Sequence, residues 1–170
     1  MLVRAAVNDD DQYEGTETLL LQMTERSNTA GIITGMTSKA VGTIFDNEES
    51  LQVDSLTRIR DGQEDGGSDD SQWPGWTLNV NNAADTDTRL SLRFDPAQQA
   101  TLGEDFTGKL HIYTGADNDP QLVTVTDISQ PVIWDLPAGT QNVQVFVEPM
   151  DDALYEGNES LILNARVDAP

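Results

Sequence analysis

The stretch VFVEPMDDALYEGNESLILNA, from Val145 to Ala165, has aliphatic residues at every second position at both ends, Val145 and Val147 before an acidic middle and Leu161 and Leu163 after it. Alternation with a period of two residues is typical of a β-strand with one buried face. The middle, DDALYEGN, is rich in turn-forming and acidic residues. The stretch therefore predicts two β-strands joined by an acidic turn.

A second copy of this pattern lies near the start of the chain. The sequence VRAAVNDDDQYEGTETLLLQM, residues 3 to 23, aligns with the first stretch after a shift of 142 residues. The residues of this copy that fall on identical residues of the other include Asp9, Asp10, Tyr13, Glu14, Gly15, Glu17, Leu19 and Leu21. An internal repeat of this kind predicts the same strand, acidic turn and strand at each end of the chain.

Short alternating runs fill most of the remaining chain. One run places Leu90, Leu92 and Phe94 on the same face, and others occur at 77–81 and 143–147. Turn-rich pieces separate these runs, and we find no window of twelve residues with the apolar spacing of a helix. Many short strands with regular turns predict an all-β fold, an antiparallel sandwich or barrel, with helix only in short turns.

The position of the two copies predicts how the chain divides. A further acidic strand end, AVGTIFDNEE, follows the first copy at residues 40–49. We therefore expect residues 1–48 to be the C-terminal strands of one module and residues 49–170 to be a module that lacks its last strand. Either the first part completes the second as one intertwined domain, or it forms a small extra lobe. The intertwined arrangement would cover an open sheet edge.

The charge of the chain limits the classes of partner. Nine Lys and Arg residues face 30 Asp and Glu residues, a net charge of −21. Binding to nucleic acid or to an anionic membrane surface needs a basic patch, so neither is expected. Such a charge also repels itself within a compact fold. Bound divalent cations would neutralise part of it, and the alternative is an acidic surface that serves only solubility.

The cysteine count and the first residues suggest where the protein works. The chain has no cysteine, and a secreted domain can lack disulfides if metal ions stabilise it. Residues 1–7 contain no long apolar run, so we expect neither a signal peptide nor a membrane span in this sequence. We expect an extracellular, monomeric protein.

The acidic turn of the second copy suggests a calcium site. A bend would bring its four carboxylates, Asp151, Asp152, Glu156 and Glu159, into one small volume, where like charges raise pKa values and cost stability. Ca²⁺ takes six to eight oxygen ligands and relieves this repulsion, whereas Mg²⁺ demands a tight octahedron. A single histidine and no thiolate disfavour a transition metal. The alternative is a solvated acidic hairpin.

The first copy offers the same carboxylates at the same spacing. They are Asp9, Asp10, Glu14 and Glu17, with Asp11 as an additional acid. The same two interpretations, a calcium site or a solvated hairpin, apply to this turn.

Three motifs resemble those of Calx-beta repeats: the two DD…YEG-x-E turns, GTIFDNE at 42–48 and ATLGEDFTG at 100–108. The resemblance covers residues 1–48 and 95–170 and is loose between 50 and 94. It implies an immunoglobulin-like antiparallel β-sandwich that binds Ca²⁺ in the loops at one end.

The resemblance also implies how the ligands group. Asp105 would join the acidic turn of the second copy, and Asp46 would join that of the first. The ligand contributed by the first strand would be Asp61 or Glu64. Where the family often has a run of Asp after the last strand, this chain has Asn47 and Glu48.

Two further loops are weaker calcium candidates. The loop DGQEDGGSDD at residues 61–70 contains Asp61 and Asp65 at a spacing similar to an EF-hand loop, but the twelfth position is Gln72 and not Glu. The turn GADNDP contains Asp117 and Asp119. Each is either a calcium-ordered loop or an ordinary acidic turn.

Aromatic residues follow the first of these loops directly. Trp73 and Trp76, with Asp69 beside them, are candidate ligand-binding residues that would form an aromatic wall for a sugar or a peptide. The alternative is that both rings pack in the core, as is common for a Trp near the start of a strand. Trp134, within a strand, is expected in the core. His111, alone on a strand, offers no case for a catalytic base.

The sequence does not predict an enzyme. It lacks a cysteine nucleophile, a serine elbow, a phosphate loop and a zinc constellation. Paired carboxylates leave a glycosidase formally open, but their spacing suits Ca²⁺.

We therefore expect a calcium-dependent module that binds a peptide or a glycan, on the surface of a bacterial cell. Its composition also resembles that of large repeats-in-toxin adhesins, and this resemblance implies that it belongs to such an adhesin, next to neighbouring adhesin domains. The alternative function is a structural spacer that calcium makes rigid.

Overall fold

The computed structural model describes residues 3–10, 12–24, 37–66, 68–84, 86–115 and 119–168. These residues form twelve strands and no α-helix, so the expected all-β, largely antiparallel fold is confirmed. The strands are β1 (Gln12–Tyr13), β2 (Glu17–Thr24), β3 (Thr37–Ile44), β4 (Val53–Arg60), β5 (Gly75–Val80), β6 (Ala83–Ala84), β7 (Thr88–Phe94), β8 (Phe106–Tyr113), β9 (Gln121–Thr124), β10 (Val132–Leu136), β11 (Asn142–Pro149) and β12 (Leu163–Val167). Short 3₁₀ turns lie at Glu64–Gly66 and Asp70–Gln72. In the part of the chain so described, no helix has the length and apolar character needed to cross a membrane.

Two sheets form the body of the protein. The larger has the strand order β4-β5-β11-β8-β9 and the smaller has the order β10-β7-β12, and every neighbouring pair in both is antiparallel. Alternating residues of a strand point to opposite faces of its sheet. In β8, this alternation buries Phe106, Gly108, Leu110 and Ile112.

Both sheets contribute to one hydrophobic core. The larger sheet supplies residues such as Leu78, Leu110 and Val145, and the smaller supplies residues such as Leu90 and Trp134. Trp134 is 5% exposed, which confirms the expectation that it lies in the core. Its indole Nε1 donates a hydrogen bond to Gln121 Oε1 at 2.6 Å, so the buried polar atom is satisfied.

The outer face of the larger sheet is also partly covered. Phe146 points away from the main core yet is only 6% exposed. The Arg60 guanidinium carbon lies 4.6 Å from its ring centroid, and the ring of Tyr113 meets it edge-on at 5.7 Å. Next to them, Trp73 packs edge-on against His111 at 4.4 Å. The loop between β4 and β5 thus lies against this face of the sheet.

The strands β2 and β3 form a two-stranded antiparallel sheet separate from the other sheets. They pair over eight residues, from Glu17 opposite Ile44 to Thr24 opposite Thr37. The large apolar side chains of this hairpin are exposed, among them Leu19, Leu20, Leu21, Met23 and Val41. The hairpin is joined to the body through β1, which pairs in parallel with β6.

The two copies of the repeat are less regular than expected. Residues 3–10 are exposed and form no strand, so the prediction of a first strand in the N-terminal copy is wrong. A strand needs a neighbour for its backbone N–H and C=O groups, and none of the described strands pairs with this stretch. In the other copy, β11 ends at Pro149 and residues 150–162 form no strand before β12.

Candidate metal centre and adjoining groove

Three carboxylates from distant parts of the chain meet at one end of the body. Glu64 belongs to a 3₁₀ turn after β4, Asp105 to the turn before β8, and Glu156 to the irregular segment before β12. One oxygen of each lies within 4.8 Å of the others. Because Ca²⁺ binds oxygens at about 2.3–2.6 Å, two of its ligands can be about 5 Å apart. The three carboxylates are therefore close enough together to hold one metal ion.

Asp105 is the most firmly placed of the three. Its Oδ2 accepts a hydrogen bond from the backbone N–H of Thr101 at 2.6 Å, and its backbone carbonyl accepts one from Met150 N–H at 2.9 Å. Its Oδ1 is buried and has no hydrogen-bond partner in the described part of the chain. A buried oxygen left without a partner is costly, and a bound cation would satisfy it.

The electrostatics of the cluster favour a positive ligand. Desolvation, followed by the charges of Asp105 and Asp152, raises the pKa of Glu156. Desolvation and then the charge of Asp105 raise the pKa of Glu159 as well, with Glu64 adding to the effect. A raised carboxyl pKa means that the ionised form is disfavoured where it stands. A divalent cation would reverse this balance.

A groove of about 930 Å³ adjoins the cluster. Its lining includes two cations, Arg58 and Arg60, and the aromatic side chains of Trp76 and Tyr155. The side chain of Tyr155 is 98% exposed. The groove thus combines carboxylates, guanidinium groups and aromatic surface, which can serve a ligand that carries both polar oxygens and an apolar part.

Both arginines of the groove make hydrogen bonds within the protein, Arg60 to two backbone carbonyls and Arg58 to an exposed carboxylate. Arg58 Nη1 donates to Asp61 Oδ1 at 2.7 Å, and Arg60 Nε donates to the carbonyl of Trp73 at 2.8 Å. Arg60 Nη2 also donates to the carbonyl of Asp70. Fixed guanidinium groups recognise a carboxylate at a smaller entropic cost than flexible ones.

Of the other predicted ligands of this end, Glu159 makes a side-chain contact with Asp105, and the rest are gathered only loosely. Asp61, Asp65, Asp151 and Glu159 line the groove, but none belongs to the group within 4.8 Å. The Oδ1 of Asp152 accepts a hydrogen bond from the N–H of Leu154 at 2.6 Å.

The acidic residues of the first copy are arranged differently. Asp46 Oδ2 accepts hydrogen bonds from the backbone N–H groups of Glu14 and Gly15, each at 2.6 Å. A hydrogen bond with the Glu48 side chain, together with these N–H donors, lowers the pKa of Asp46 to about 2. The same contact with Asp46 raises the pKa of Glu48, and the charge of Asp9 adds to it. Asp46 therefore closes the base of the hairpin by accepting hydrogen bonds.

The remaining first-copy candidates do not converge. The side chains of Asp9, Asp10, Glu14 and Glu17 are exposed. Within the described residues, the first copy contains no group of three acids as close as that around Asp105. Asp11 and Asp117 lie outside the described residues, and Asp119 is exposed.

The aromatic residues after the first acidic loop are buried. Trp73 is 4% exposed and Trp76 is 7% exposed. The two indoles therefore do not form an open aromatic wall, because the sheets and the loop that carries them enclose both rings; Trp76 still reaches the edge of the groove.

Asp69 stabilises the 3₁₀ turn that directly follows it. Its Oδ1 accepts a hydrogen bond from Ser71 N–H at 3.1 Å, and its Oδ2 accepts one from Gln72 Nε2 at 3.2 Å. These contacts, led by that with Ser71, lower the pKa of Asp69. The carboxylate caps the 3₁₀ turn at its N-terminal end.

Comparisons with protein-family models, with curated proteins and with solved structures found no match for this chain. The functional interpretation therefore rests on the residues and their arrangement.

Sequence reasoning did not single out several residues of the groove. Arg58 and Arg60 lie on β4, which the alternating pattern does not distinguish from other strands. Glu64 was only one of two candidates for its position. The internal repeat does mark Tyr155, because Tyr13 occupies the equivalent position in the other copy. Its exposure, however, depends on the irregular path of residues 150–162.

Proposed function

We propose that this chain is a calcium-binding module of a bacterial cell-surface adhesin and that it holds a ligand in the groove beside its calcium site. The observation that carries the proposal is the convergence of Glu64, Asp105 and Glu156 within 4.8 Å at the wall of this groove. The proposed protein is extracellular and is not an enzyme.

The fold that we propose is an immunoglobulin-like β-sandwich of the Calx-beta type. Two features support it: the two sheets share one core, and one carboxylate from each of three separate loops, Glu64, Asp105 and Glu156, meets at one end of the body. In such a fold the calcium site would lie in loops beyond the strand ends. Glu64, Asp105 and Glu156 all lie outside the strands.

The coordination that the protein can supply leaves room for a ligand. Three carboxylates provide between three and six oxygens, depending on whether each binds through one oxygen or two, and Ca²⁺ takes six to eight. A ligand carboxylate or hydroxyl can complete the shell. Arg58 and Arg60 line the same groove and favour a negative group. We therefore propose the C-terminal carboxylate of a peptide, or the hydroxyls of a glycan, as the bound group.

Calcium titration tests the metal site directly. Calorimetric titration of the chelator-treated protein should show binding, and Glu156→Gln should weaken the affinity of the site at least about tenfold, equivalent to about 1.4 kcal/mol. The control is Asp54→Asn, which removes one negative charge from an exposed position on β4. Equal isotherms for the two variants would refute the assignment.

A ligand screen then tests the groove. Arrays of peptides with free or amidated C-termini, and an array of glycans, would be probed in Ca²⁺ and in chelator. The proposal expects binding that requires Ca²⁺ and that is weakened by Arg58→Gln. Binding that is indifferent to both changes would exclude this groove as its site.

A structural spacer is the second candidate function, and the connection between hairpin and body favours it. Asp46 bonds to the turn before β2, while the side chains of Asn81 and Asn82 donate to the backbone carbonyls of Ser50 and Glu49. The linker between β3 and β4 is thus fastened at both ends. Cations bound beside Asp46 would stiffen this joint, and a negative result on all ligand arrays would leave this function.

A further inference from the structure

A second hollow, of about 430 Å³, lies at the end of the larger sheet that is far from the candidate metal centre. Asp105 directly precedes the first residue of β8, whereas Tyr113, the last residue of this strand, lines the hollow. A strand of eight residues spans roughly 25 Å at about 3.3 Å per residue. The hollow is therefore a separate place from the groove beside Asp105.

The hollow is uncharged, although the chain as a whole is strongly acidic. Its polar side chains are the amides and hydroxyls of Thr114, Thr140, Gln141, Asn142 and Gln144, beside the phenol of Tyr113. No Asp, Glu, Lys or Arg is among the described residues that line it, in a chain with 30 acidic and nine basic residues. A ligand there meets neither charge repulsion nor an ion pair at the walls.

A chain of side-chain hydrogen bonds orients one amide of the hollow. Asn142 Nδ2 donates to Asn79 Oδ1 at 2.6 Å, and Asn79 Nδ2 donates to Ser55 Oγ at 3.0 Å. The three residues lie in one row across the larger sheet, since Asn142 pairs with Asn79 and Asn79 pairs with Ser55. This row uses a donor of Asn142 and leaves its Oδ1 as an acceptor.

The neighbouring amide is available for contact. Gln144 lies two positions along β11 from Asn142, so both side chains point to the same face of the sheet. Both residues are exposed. Within the described residues, the Gln144 side chain has no hydrogen-bond partner. A primary amide offers both donors and an acceptor, so these two side chains can pair with a hydroxyl group in either direction.

An aromatic ring of fixed orientation completes the wall. Tyr113 is half-buried, its hydroxyl donates to Asp70 Oδ2 at 3.1 Å, and its ring meets that of Phe146 edge-on at 5.7 Å. A side chain held in this way loses little further freedom when a ligand packs against it.

Glycine keeps the hollow open. Gly115 and Gly139 both line it, and an added Cβ at either position would have no atom within 4 Å. Gly139 also has a φ of +77°, a conformation that favours glycine. The turn between β10 and β11 therefore leaves space in front of the amides. The volume lies within the range of about 300–1,000 Å³ that is common for ligand pockets.

These groups together match the chemistry of a neutral sugar. Each sugar hydroxyl can both donate and accept a hydrogen bond, as the two amides can. The C–H face of a pyranose ring is apolar and can pack against the ring of Tyr113. An acidic sugar or an acidic peptide would be repelled by the net charge of −21 and would find no cation in the described lining.

We propose that this hollow is a second ligand site, that it binds a neutral oligosaccharide, and that it does so without calcium. None of the carboxylates near Asp105 contributes to its lining, so the site does not depend on the function proposed for the groove. Contacts between neutral groups are not screened by ions. Binding should therefore persist in chelator and at high salt.

A glycan array probed in chelator tests the proposal. The array carries neutral oligosaccharides of hexoses and N-acetylhexosamines, together with oligosaccharides that contain uronic acid or sulfate. The wild-type protein should bind members of the neutral set and should not prefer the acidic set. Absence of binding to the neutral set in chelator would overturn the proposal, as would a preference for the acidic glycans.

Variants assign the binding to the hollow. Gln144→Ala removes an exposed amide and should weaken the affinity for the bound glycan about fivefold, the effect of one hydrogen bond. Tyr113→Ala should weaken it by about tenfold or more, through loss of the ring. Tyr113→Phe retains the ring and should lose less affinity. Melting temperatures of all variants show whether each is folded.

The matched control for Gln144→Ala is Gln52→Ala. Gln52 is exposed before β4 and does not line the hollow, so its replacement should leave the affinity unchanged. Equal losses in these two variants would exclude the hollow as the site. Glycan binding that requires Ca²⁺ and is weakened by Glu156→Gln would belong to the groove and would likewise overturn this assignment.

Nuclear magnetic resonance locates the contact directly. Titration of the chelator-treated protein with the neutral oligosaccharide found on the array should shift the backbone amide signals of residues 113–115 and 139–144. The signals of residues 101–105, beside the candidate metal centre, should not move. Shifts confined to the groove, or displacement of the glycan by a neutral peptide that moves the same signals, would contradict a sugar site in the hollow.

Discussion

At the scale of single residues, the carboxylates around Asp105 are placed where their charges oppose folding unless a cation is present. The raised pKa of Glu156 arises from desolvation and then from the neighbouring acids Asp105 and Asp152. Asp46 shows the opposite behaviour, because it accepts hydrogen bonds and its pKa falls to about 2. The two acids therefore act on stability in separate pH ranges.

The raised pKa of Glu156 leads to a prediction for the metal-free protein. The folded state binds the proton more tightly than the unfolded state does, so the stabilisation from this group is present below pH 4.5 and is lost as pH rises through the folded pKa. Glu156→Gln should therefore raise the melting temperature at neutral pH in chelator. The gain should vanish as the pH approaches 4.5.

Thermal melts of both proteins over this pH range measure the difference. Asp54→Asn, the same change of charge outside the cluster, should show a smaller difference. With Ca²⁺ present at neutral pH, the wild type should have the higher melting temperature, because the metal requires the ionised carboxylate that Glu156→Gln lacks. A pH-independent difference between wild type and Glu156→Gln would contradict the electrostatic account.

The residues of this site were only partly predictable. Asp105 and Glu156 follow from the resemblance of their motifs to a known family, and Glu64 remained one of two alternatives. The separation of these residues along the chain explains why. Only the pairing of strands fixes whether a turn after β4 reaches a turn before β8, and the sequence of either turn does not contain that information.

At the scale of elements, glycine fixes the contact between β8 and the chain after β9. Gly108 has a φ of +78°, and a Cβ at this position would lie 2.4 Å from the carbonyl oxygen of Val125. Val125 N–H in turn donates to the carbonyl of Gly108 at 2.7 Å. Any side chain here would separate the two backbones.

Gly108→Ala should therefore destabilise the fold by more than the backbone penalty that any alanine has at a positive φ. Gly139→Ala is the matched control, since Gly139 has a φ of +77° and no atom within 4 Å of an added Cβ. We expect the control to cost about 1–2 kcal/mol from its backbone conformation, and Gly108→Ala to cost about 1–3 kcal/mol more from overpacking. Urea denaturation of both variants measures their free energies of unfolding. Equal losses of stability would show that the backbone contact between Gly108 and Val125 adjusts to an added methyl group without cost.

The positions of the strands were easier to predict from the sequence than the burial of their side chains and the pairing between them. The alternation at Leu90, Leu92 and Phe94 gives β7 correctly. The burial of Phe146 could not be predicted in this way, because it lies on the outer face of β11 and is covered by residues from β4 and β8. The pairing of β1 with β6 could not be predicted either, because it involves only two residues of each strand and these lie about seventy positions apart in the chain.

At the scale of the whole molecule, the net charge of −21 sets the conditions under which the fold is stable. Self-repulsion destabilises a compact state, and screening by salt relieves it. In chelator, the melting temperature should therefore rise with added NaCl.

Calcium should add to this effect at constant ionic strength. A ligand present at a hundred times its Kd stabilises a protein by about 2.7 kcal/mol, which for a chain of this size raises the melting temperature by about 5–10 °C. Mg²⁺ at the same concentration is the control and should give a smaller increase, because it shares the charge but requires a tighter octahedron. Equal shifts with both ions would mean that the cations only screen charge.

The irregular path of residues 150–162 has a consequence for the resistance of the protein to proteases. Proteases accept substrates in extended form, and this segment presents Tyr155 with 98% of its surface exposed and no strand partner. An enzyme that cleaves after aromatic residues should therefore make its first cut there. This cut would break the peptide bond between Tyr155 and Glu156. A cation bound by both Glu156 and Asp105 would hold the chain in place directly after that bond. Binding of the metal ion should therefore also protect the chain from digestion.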